Sequence, residues 1–286
     1  MGRRVNAEGD PVGSAGTLFL DLDFEAHAGR APIYVEYEGG ERHPVVGGAA
    51  SGMSTHKAEG VWPADTDCSS NVPGLFAAGD SLGTMQSGAT YAAIGQSVLG
   101  CSVTGTRAGL GAAAYASRVD GRLPETGELV RVAEGLVAPL ERKGGFSARW
   151  VTQMLQNTMI PYYVMYVKHG DRLRAALTNV EFFRDHLGPM LYARDQHELR
   201  MAHETKNMIL NAEMRLRASL YRTESRGCHY REDHPRREDP DWLAWVIIKK
   251  GEDGRMELFK RPLPQEWWPD VSQPYEKRYP LRMPGE

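Results

Sequence analysis

The sequence predicts an α/β segment, followed by an α-helical bundle domain and a small α+β C-terminal tail. Three shifts in composition support this fold class. Residues 1–118 are rich in glycine and alanine and contain β-like runs. Residues 128–222 consist largely of strong helix formers, and the remainder holds four of the six tryptophans. Because such shifts mark domain boundaries, we expect segments at 1–50, 51–120, 121–224 and 225–286.

Short runs of apolar and β-branched residues predict strands in the first two segments. The runs are TLFLDL at residues 17–22 and PIYVEY at residues 32–37. A third, buried strand is expected at residues 75–78 (LFAA), because a Val-Pro-Gly turn precedes it. This strand would end at Gly79 and Asp80.

Helix formers dominate the middle of the chain. The pattern predicts helices over residues 148–160, 171–186 and 196–222, separated by breaks near Pro161 and near Gly188. In the last of these, apolar residues recur at three- and four-residue steps, which indicates one buried face. They are Leu199, Ala202, Ile209, Ala212, Leu216 and Leu220.

The C-terminal tail contains the pattern of a β-hairpin. Residues 242–250 and 256–261 read as strands, and the glycines at 251 and 254 supply the turn between them. We therefore expect a strand pair after the helical domain.

Composition excludes several classes of protein. The 286 residues are 41% hydrophobic, which is too apolar for a disordered chain, and the net charge of −3 gives no basic surface for nucleic acid. Cys68, Cys101 and Cys228 lie too far apart for a disulfide framework or a cysteine-based zinc site. With no long apolar run and no signal-peptide pattern at the N-terminus, we expect a soluble, cytoplasmic protein.

Glycine points to a candidate site. The chain has 31 glycines, and they crowd the first 111 positions; the most informative stretch is residues 71–102. Glycine lets backbone approach a ligand closely. Asp80, at the carboxyl end of a predicted strand, can accept hydrogen bonds from sugar hydroxyls. The residues after Gly95 predict a helix that runs through Ala116, and its first turn would face a partial negative charge.

These residues resemble a known family. VPGLFAAGD at 72–80 and GQSV at 95–98 are similar to the (I/V)PGL(Y/F)A(A/V)GE and GGNSL motifs of the succinate dehydrogenase/fumarate reductase flavoprotein superfamily. The resemblance implies FAD as cofactor, in a partial Rossmann-like (GR2-type) FAD-binding domain after the remnant of a capping domain. The cofactor-binding residues that it implies in this stretch are Gly79, Asp80, Gly95, Gln96, Ser97 and Val98.

Two more motifs extend the resemblance over about residues 17–242. HPVVGG at residues 43–48 is similar to the family's HYMMGG, which implies a substrate-contacting role for His43 and places Gly47 and Gly48 at the cofactor. An isolated histidine is also often structural. ESRGCHYREDHP at residues 224–235 matches a signature that follows the family's helical domain, and we interpret it as a structural junction rather than a catalytic site. The bundle and tail are also similar to the adenylylsulfate reductase α-subunit branch.

The sequence departs from the family at two places. Where dicarboxylate enzymes carry HGANR, this chain has SGATY at residues 87–91. Tyr91 cannot form the charged, bidentate contact with a carboxylate that arginine forms. Succinate and fumarate are therefore not the expected substrates. The pyrophosphate-binding GxGxxG and the family's HPTG segment are absent from these residues. The chain therefore reads as the C-terminal half of a larger flavoprotein.

Three functions follow as hypotheses. The first is an FAD-dependent oxidoreductase that acts with an N-terminal flavoprotein half and passes electrons to an iron–sulfur partner, with His43 and Tyr91 beside a small-molecule substrate. The second is a non-catalytic remnant that serves as a protein-interaction scaffold through its aromatic tail. A nucleotide-binding protein without redox chemistry is the third, although the sequence has no P-loop.

Overall fold

The structure, a computed structural model, describes residues 3–5, 34–36, 40–44, 60–83, 96–121, 125–227, 229–280, 282–283 and 285–286. The chain divides into two compact units, Met1–Asp120 and Gly121–Glu286. The helical segment and the C-terminal tail lie in the same unit. The four-segment division remains a prediction.

The first unit contains a small antiparallel sheet. Its strands β1 (Arg3–Val5), β2 (Tyr34–Glu36) and β3 (Arg42–Pro44) pair in the order β1-β2-β3. Strand β2 falls inside the run predicted at residues 32–37. The strand predicted at residues 17–22 lies outside the described residues.

Residues 60–83 form a compact loop that packs on helix α1 (Gln96–Ala116). Val61 and Leu82 make a parallel bridge, and Ser69 and Phe76 make an antiparallel one. The prediction of a strand at residues 75–78 is wrong for the described chain, because only Phe76 has a bridge partner there. A 3-10 turn, Gly79–Ser81, follows.

Helix α1 presents small residues to this loop. Ala108 is buried together with Cys68, Ala77 and Leu82. At Gly111, a Cβ would lie 2.9 Å from the Cβ of Asp67 and 3.1 Å from Cε1 of Phe76. The backbone of the helix therefore contacts the side chains of the loop directly. Close approach therefore requires glycine at this position.

Two glycines of α1 allow a direct test of this packing. Gly109→Ala should stabilise the helix by about 0.5–1 kcal/mol, because a Cβ there meets nothing within 4 Å. Gly111→Ala should destabilise it by about 1–3 kcal/mol, because the loop must move. Hydrogen–deuterium exchange of α1 peptides measures both effects, and equal protection in the two variants would contradict the packing.

The second unit is a helical bundle. Its helices are α2 (Thr126–Glu141), α3 (Ala148–Met159), α4 (Tyr162–Met165), α5 (Gly170–Phe182) and α6 (Gln196–Tyr221). A π-helical turn, Phe183–Leu187, continues α5, and the 3-10 turn Gly188–Met190 follows. The predictions at 148–160, 171–186 and 196–222 are confirmed to within a few residues at each end.

The core of the bundle lies between α3, α5 and α6. Val151, Leu173, Val180 and Leu216 are each at most 2% exposed. The predicted apolar face of α6 supplies part of this core through Ala202, Ile209, Ala212 and Leu216. Side chains cap the helices where the sequence changes to extended backbone. Asp195, for example, accepts a hydrogen bond from the Glu198 amide at 2.8 Å.

Short strand pairs connect segments of the second unit that are distant in sequence. Two-residue parallel pairs join β4 (Phe146–Ser147) to β6 (Leu191–Tyr192), and β5 (Val167–Lys168) to β7 (Tyr230–Arg231). The tail contains the antiparallel hairpin of β8 (Ala244–Lys250) and β9 (Met256–Pro262), which confirms the predicted strand pair. The 3-10 turn Gln265–Trp267 and helix α7 (Tyr275–Arg278) come last.

Candidate functional site

The turn at Gly79 is fixed against α1. The Gly79 amide donates to Oγ1 of Thr104 at 2.8 Å, and this hydroxyl in turn donates to the Gly100 carbonyl at 2.6 Å. Gly79 is buried and has a φ of +60°, and a Cβ there would lie 2.7 Å from Sγ of Cys101. Both the backbone conformation and the close contact favour glycine.

Asp80 is exposed at the same turn. The backbone on its other side is also held, because the Val61 amide donates to the Ser81 carbonyl at 2.8 Å and the Gly83 amide donates to the Val61 carbonyl at 2.9 Å. A carboxylate presented to solvent from a fixed turn can accept hydrogen bonds from ligand hydroxyls without reorganising the backbone.

The start of α1 confirms the predicted helix start. The helix begins at Gln96, so Gln96, Ser97 and Val98 form its first turn, and this turn contains no acidic residue. Thr104, which holds Gly79, lies about two turns further along the same helix. The structure therefore joins the predicted carboxylate turn and the predicted helix through a direct contact.

The other predicted site residues are not brought together by the described chain. His43 is the middle residue of β3 and pairs with Val35 in the sheet. Gly47, Gly48, Tyr91 and Gly95 lie outside the described residues. Their roles at the cofactor and the substrate stay predictions.

The motif at residues 224–235 forms a buried ionic cluster around Glu224, which is fully buried. Arg226 binds this carboxylate through two hydrogen bonds, Nε to Oε1 at 2.8 Å and Nη2 to Oε2 at 2.9 Å. Arg222 also donates to it, and the Glu238 amide donates at 2.9 Å. Burial opposes the charge on Arg226, but Glu224 outweighs it and raises the pKa of this guanidinium.

The same motif clamps the start of α5. Arg231 is buried and binds Asp233 through two hydrogen bonds of 2.7 Å. Asp233 in turn accepts from the Gly170 amide at 2.9 Å, the first residue of α5. The hydrogen bonds from Arg231 lower the pKa of Asp233 well below its usual range. The predicted pairing of Arg226 and Arg231 with acids is thus present, as expected of a structural junction.

His229, in the same motif, is held as a neutral ring. Burial is the largest cause that lowers its pKa far below the usual range, and the charges of Lys168 and Arg222 act in the same direction. Its Nε2 lies 3.3 Å from the Arg222 carbonyl oxygen, which pairs with an N–H on the ring. A neutral, buried imidazole with a backbone partner fits a structural role.

Sequence reasoning missed a second buried carboxylate, Glu213. It is 2% exposed, and its Oε1 accepts from Nη1 of Arg184 at 2.5 Å and from Nε of Arg217 at 2.8 Å. One signal was available, because Glu213 interrupts the apolar face of α6 directly after Ala212 and three residues before Leu216. A charge at a core position predicts a buried ion pair.

Neither a metal centre nor a membrane span emerges from the part of the chain that the structure describes. Within it, no three His, Cys, Asp or Glu side chains are grouped as metal ligands would be. None of the described helices combines the length and the apolarity that crossing a bilayer requires.

Comparison with known proteins agrees with the motifs. A family described as the fumarate reductase flavoprotein C-terminus matches residues 152–279. One chain of the CoM/CoB fumarate reductase of Methanothermobacter marburgensis is 29% identical over 183 residues, which cover 63% of this chain and 32% of that protein. The chain is thus similar in sequence to the C-terminal part of the fumarate reductase flavoproteins. This chain likewise spans only about a third of the length of the other two curated relatives that were compared.

Solved structures show the flavoprotein fold. An FrdA variant of E. coli quinol fumarate reductase superposes with a TM-score of 0.70 at 18% identity, over 97% of this chain and 56% of that one. Adenylylsulfate reductase of Archaeoglobus fulgidus gives a TM-score of 0.53 at 24% identity, over 59% of this chain and 29% of that chain. At these identities the likeness concerns the fold alone. The second of these structures belongs to the adenylylsulfate reductase branch, which the sequence of the bundle and tail also resembles.

Proposed function

We propose that this flavoprotein relative forms the ribityl- and isoalloxazine-facing part of an FAD-dependent oxidoreductase. The observation that carries the proposal is the Gly79–Ser81 turn, which presents the Asp80 carboxylate and is bonded directly to α1. The names of the curated relatives support the same cofactor, since one of them, from Methanocaldococcus jannaschii, is an FAD-dependent oxidoreductase that is 28% identical over 64% of this chain and 32% of its own length.

The described residues fit the chemistry of this cofactor. Asp80 is exposed and would accept hydrogen bonds from ribityl or ribose hydroxyls. The first-turn amides of α1 would face the electron-rich edge of the ring, and the absence of acidic residues from this turn leaves their partial positive charge uncompensated. FAD, when bound, exchanges a hydride with an organic substrate. The chain's part is to orient the cofactor and to stabilise negative charge on it.

We infer a substrate other than succinate or fumarate. Tyr91 stands where dicarboxylate enzymes have an arginine, and a phenol cannot give the charged, bidentate contact that a carboxylate requires. His43 would orient the substrate from β3, with Tyr91 beside it.

Activity in this proposal requires an N-terminal flavoprotein half with the pyrophosphate-binding GxGxxG, in addition to an iron–sulfur partner that takes up electrons. An exposed apolar face on α1 supports the need for a covering domain. Leu99, Val103 and Leu110 lie on this face at 66%, 47% and 69% exposure, on a helix whose other side packs on residues 60–83. Exposed apolar faces of this kind mark interaction surfaces.

Co-expression tests the proposal. We expect the chain alone to purify without colour, and co-expression with a GxGxxG-bearing half to yield a complex with the visible absorbance of bound flavin. Stoichiometric FAD in the isolated chain would overturn the requirement for a second half. A stable complex without flavin would instead support the scaffold function.

Asp80→Ala should weaken FAD binding to this complex by about tenfold to a hundredfold, because a hydrogen bond to a charged group contributes about 1.5–3 kcal/mol. Asp120→Ala, which removes an exposed carboxylate beyond the end of α1, is the matched control and should bind as the wild type does. The measurement is a flavin fluorescence titration of the deflavinated complex. Equal dissociation constants for both variants would remove Asp80 from the site.

A further inference from the structure

The helical unit contains an open cavity that has no part in the proposed FAD site. Its volume is about 430 Å³, and it lies among α6, the residue that follows α2, and the two turns after α5. The side chains that line it include Arg142, Arg184, Lys206, Pro189, Ile209 and Leu210. Three cationic side chains and no acidic one thus face a single cavity.

One of the three cations is already neutralised. Arg184 donates to Asp185 through Nε at 2.7 Å and to Glu213 through Nη1 at 2.5 Å. These two carboxylates leave no excess positive charge at Arg184. The electrostatic character of the cavity therefore depends on Arg142 and Lys206.

Arg142 and Lys206 have no acidic partner among the described residues. Arg142 donates through Nη1 to the Leu191 carbonyl at 2.5 Å, a contact that positions its guanidinium without neutralising it. Lys206 is half-buried and makes neither a hydrogen bond nor an ion pair with the described chain. Arg142 and Lys206 line the same cavity, and both burial and the charge of Arg142 lower the pKa of Lys206.

We propose that this cavity binds a small dianion whose carboxylate or phosphate oxygens bridge the side chains of Arg142 and Lys206. Two neighbouring cations that are partly removed from water and lack a counter-ion are unfavourable in the empty state. A dianion neutralises both at once. Arg142 can offer its remaining guanidinium donors in a fork, and Lys206 can offer a mobile ammonium.

Calorimetric titration of the full chain tests the proposal with malonate and with inorganic phosphate as probes. Acetate at matched ionic strength is the reference, because a monoanion cannot neutralise both cations. We expect saturable binding of at least one dianion, with acetate weaker by about tenfold or more, since one charged hydrogen bond contributes about 1.5–3 kcal/mol. If malonate and phosphate give no more heat than acetate, the site does not exist.

Lys206→Met provides the decisive variant, because it keeps most of the unbranched side chain and removes the charged amine. We expect it to weaken dianion binding by about tenfold or more, and to raise the melting temperature of the ligand-free protein by relieving the repulsion with Arg142. Lys277→Met, at an exposed position on α7, is the matched control and should change neither quantity. Wild-type affinity in Lys206→Met would overturn the proposal.

A chemical readout separates this site from weak binding elsewhere on the surface. Acetylation of Lys206 by a small anhydride, followed by mass spectrometry, should slow in the presence of malonate or phosphate, whereas acetylation of Lys277 should not. Equal protection of both lysines would indicate general ionic screening and contradict a specific site.

Discussion

Replacement of Glu224 by alanine should lower the free energy of unfolding by about 3–5 kcal/mol, the largest effect that we expect from a single substitution in the helical unit. Glu224 is fully buried and is shared by Arg222 and Arg226. Its removal leaves two half-buried guanidinium groups side by side without the carboxylate between them. Burial already lowers the pKa of Arg222 in the intact cluster, which shows how little solvent is available to stabilise its charge.

The remaining contacts cannot compensate. Arg226 would keep Asp239, which it shares with Arg278 and with the Tyr279 hydroxyl at 2.6 Å. The Glu238 amide would also lose its acceptor, which adds to the cost. Because the cluster joins the end of α6 to the tail, we expect the tail and the last turns of α6 to lose hydrogen-exchange protection together.

Glu232→Ala is the matched control from the same motif. Glu232 pairs with Arg172 at 2.5 Å, but both side chains are about one-third exposed or more, so this pair should contribute about 0–1 kcal/mol. Urea unfolding of the full chain measures both variants. A loss of less than about 1 kcal/mol for Glu224→Ala would mean that water reaches the cluster and that the junction is not held by buried charge.

The helices could be predicted from sequence because their signals are local. Apolar periodicity identified α6, and a capping residue such as Asp195 marks its start within the chain itself. The pairs β4–β6 and β5–β7 could not be predicted, because each joins two residues to two others far along the chain. Such pairings depend on how the helices pack, and two residues carry no periodic pattern.

The local elements of the candidate site could be predicted from sequence, but the contact between them could not. The turn at Gly79 and the helix start at Gln96 follow from glycine, proline and the change in composition. The hydrogen bond from Gly79 to Thr104 does not, because nothing in either segment specifies the other. The strand expected at residues 75–78 failed for a related reason. A strand requires a partner along its length, and of residues 75–78 only Phe76 has a bridge partner in the described chain.

Gly79→Ala should destabilise the first unit by more than about 1–2 kcal/mol, and should weaken FAD binding to the co-expressed complex even though residue 79 donates only a backbone amide. The left-handed φ of +60° accounts for about 1–2 kcal/mol on its own, since the added Cβ crowds the backbone. The contact of 2.7 Å with Sγ of Cys101 adds to this, unless the thiol rotates or α1 moves away. Movement of α1 would break the 2.8 Å bond to Thr104 and shift Asp80.

A double variant separates these two causes. In Gly79→Ala/Cys101→Ala the thiol is absent, so only the backbone strain remains, and we expect part of the lost stability and of the FAD affinity to return relative to Gly79→Ala. Cys101→Ala alone should be close to neutral, because this cysteine is exposed and forms no disulfide. Hydrogen exchange of α1 peptides and flavin fluorescence titration measure the two quantities in parallel. Stability that returns without FAD affinity would show that the turn's conformation, rather than its packing on α1, positions Asp80.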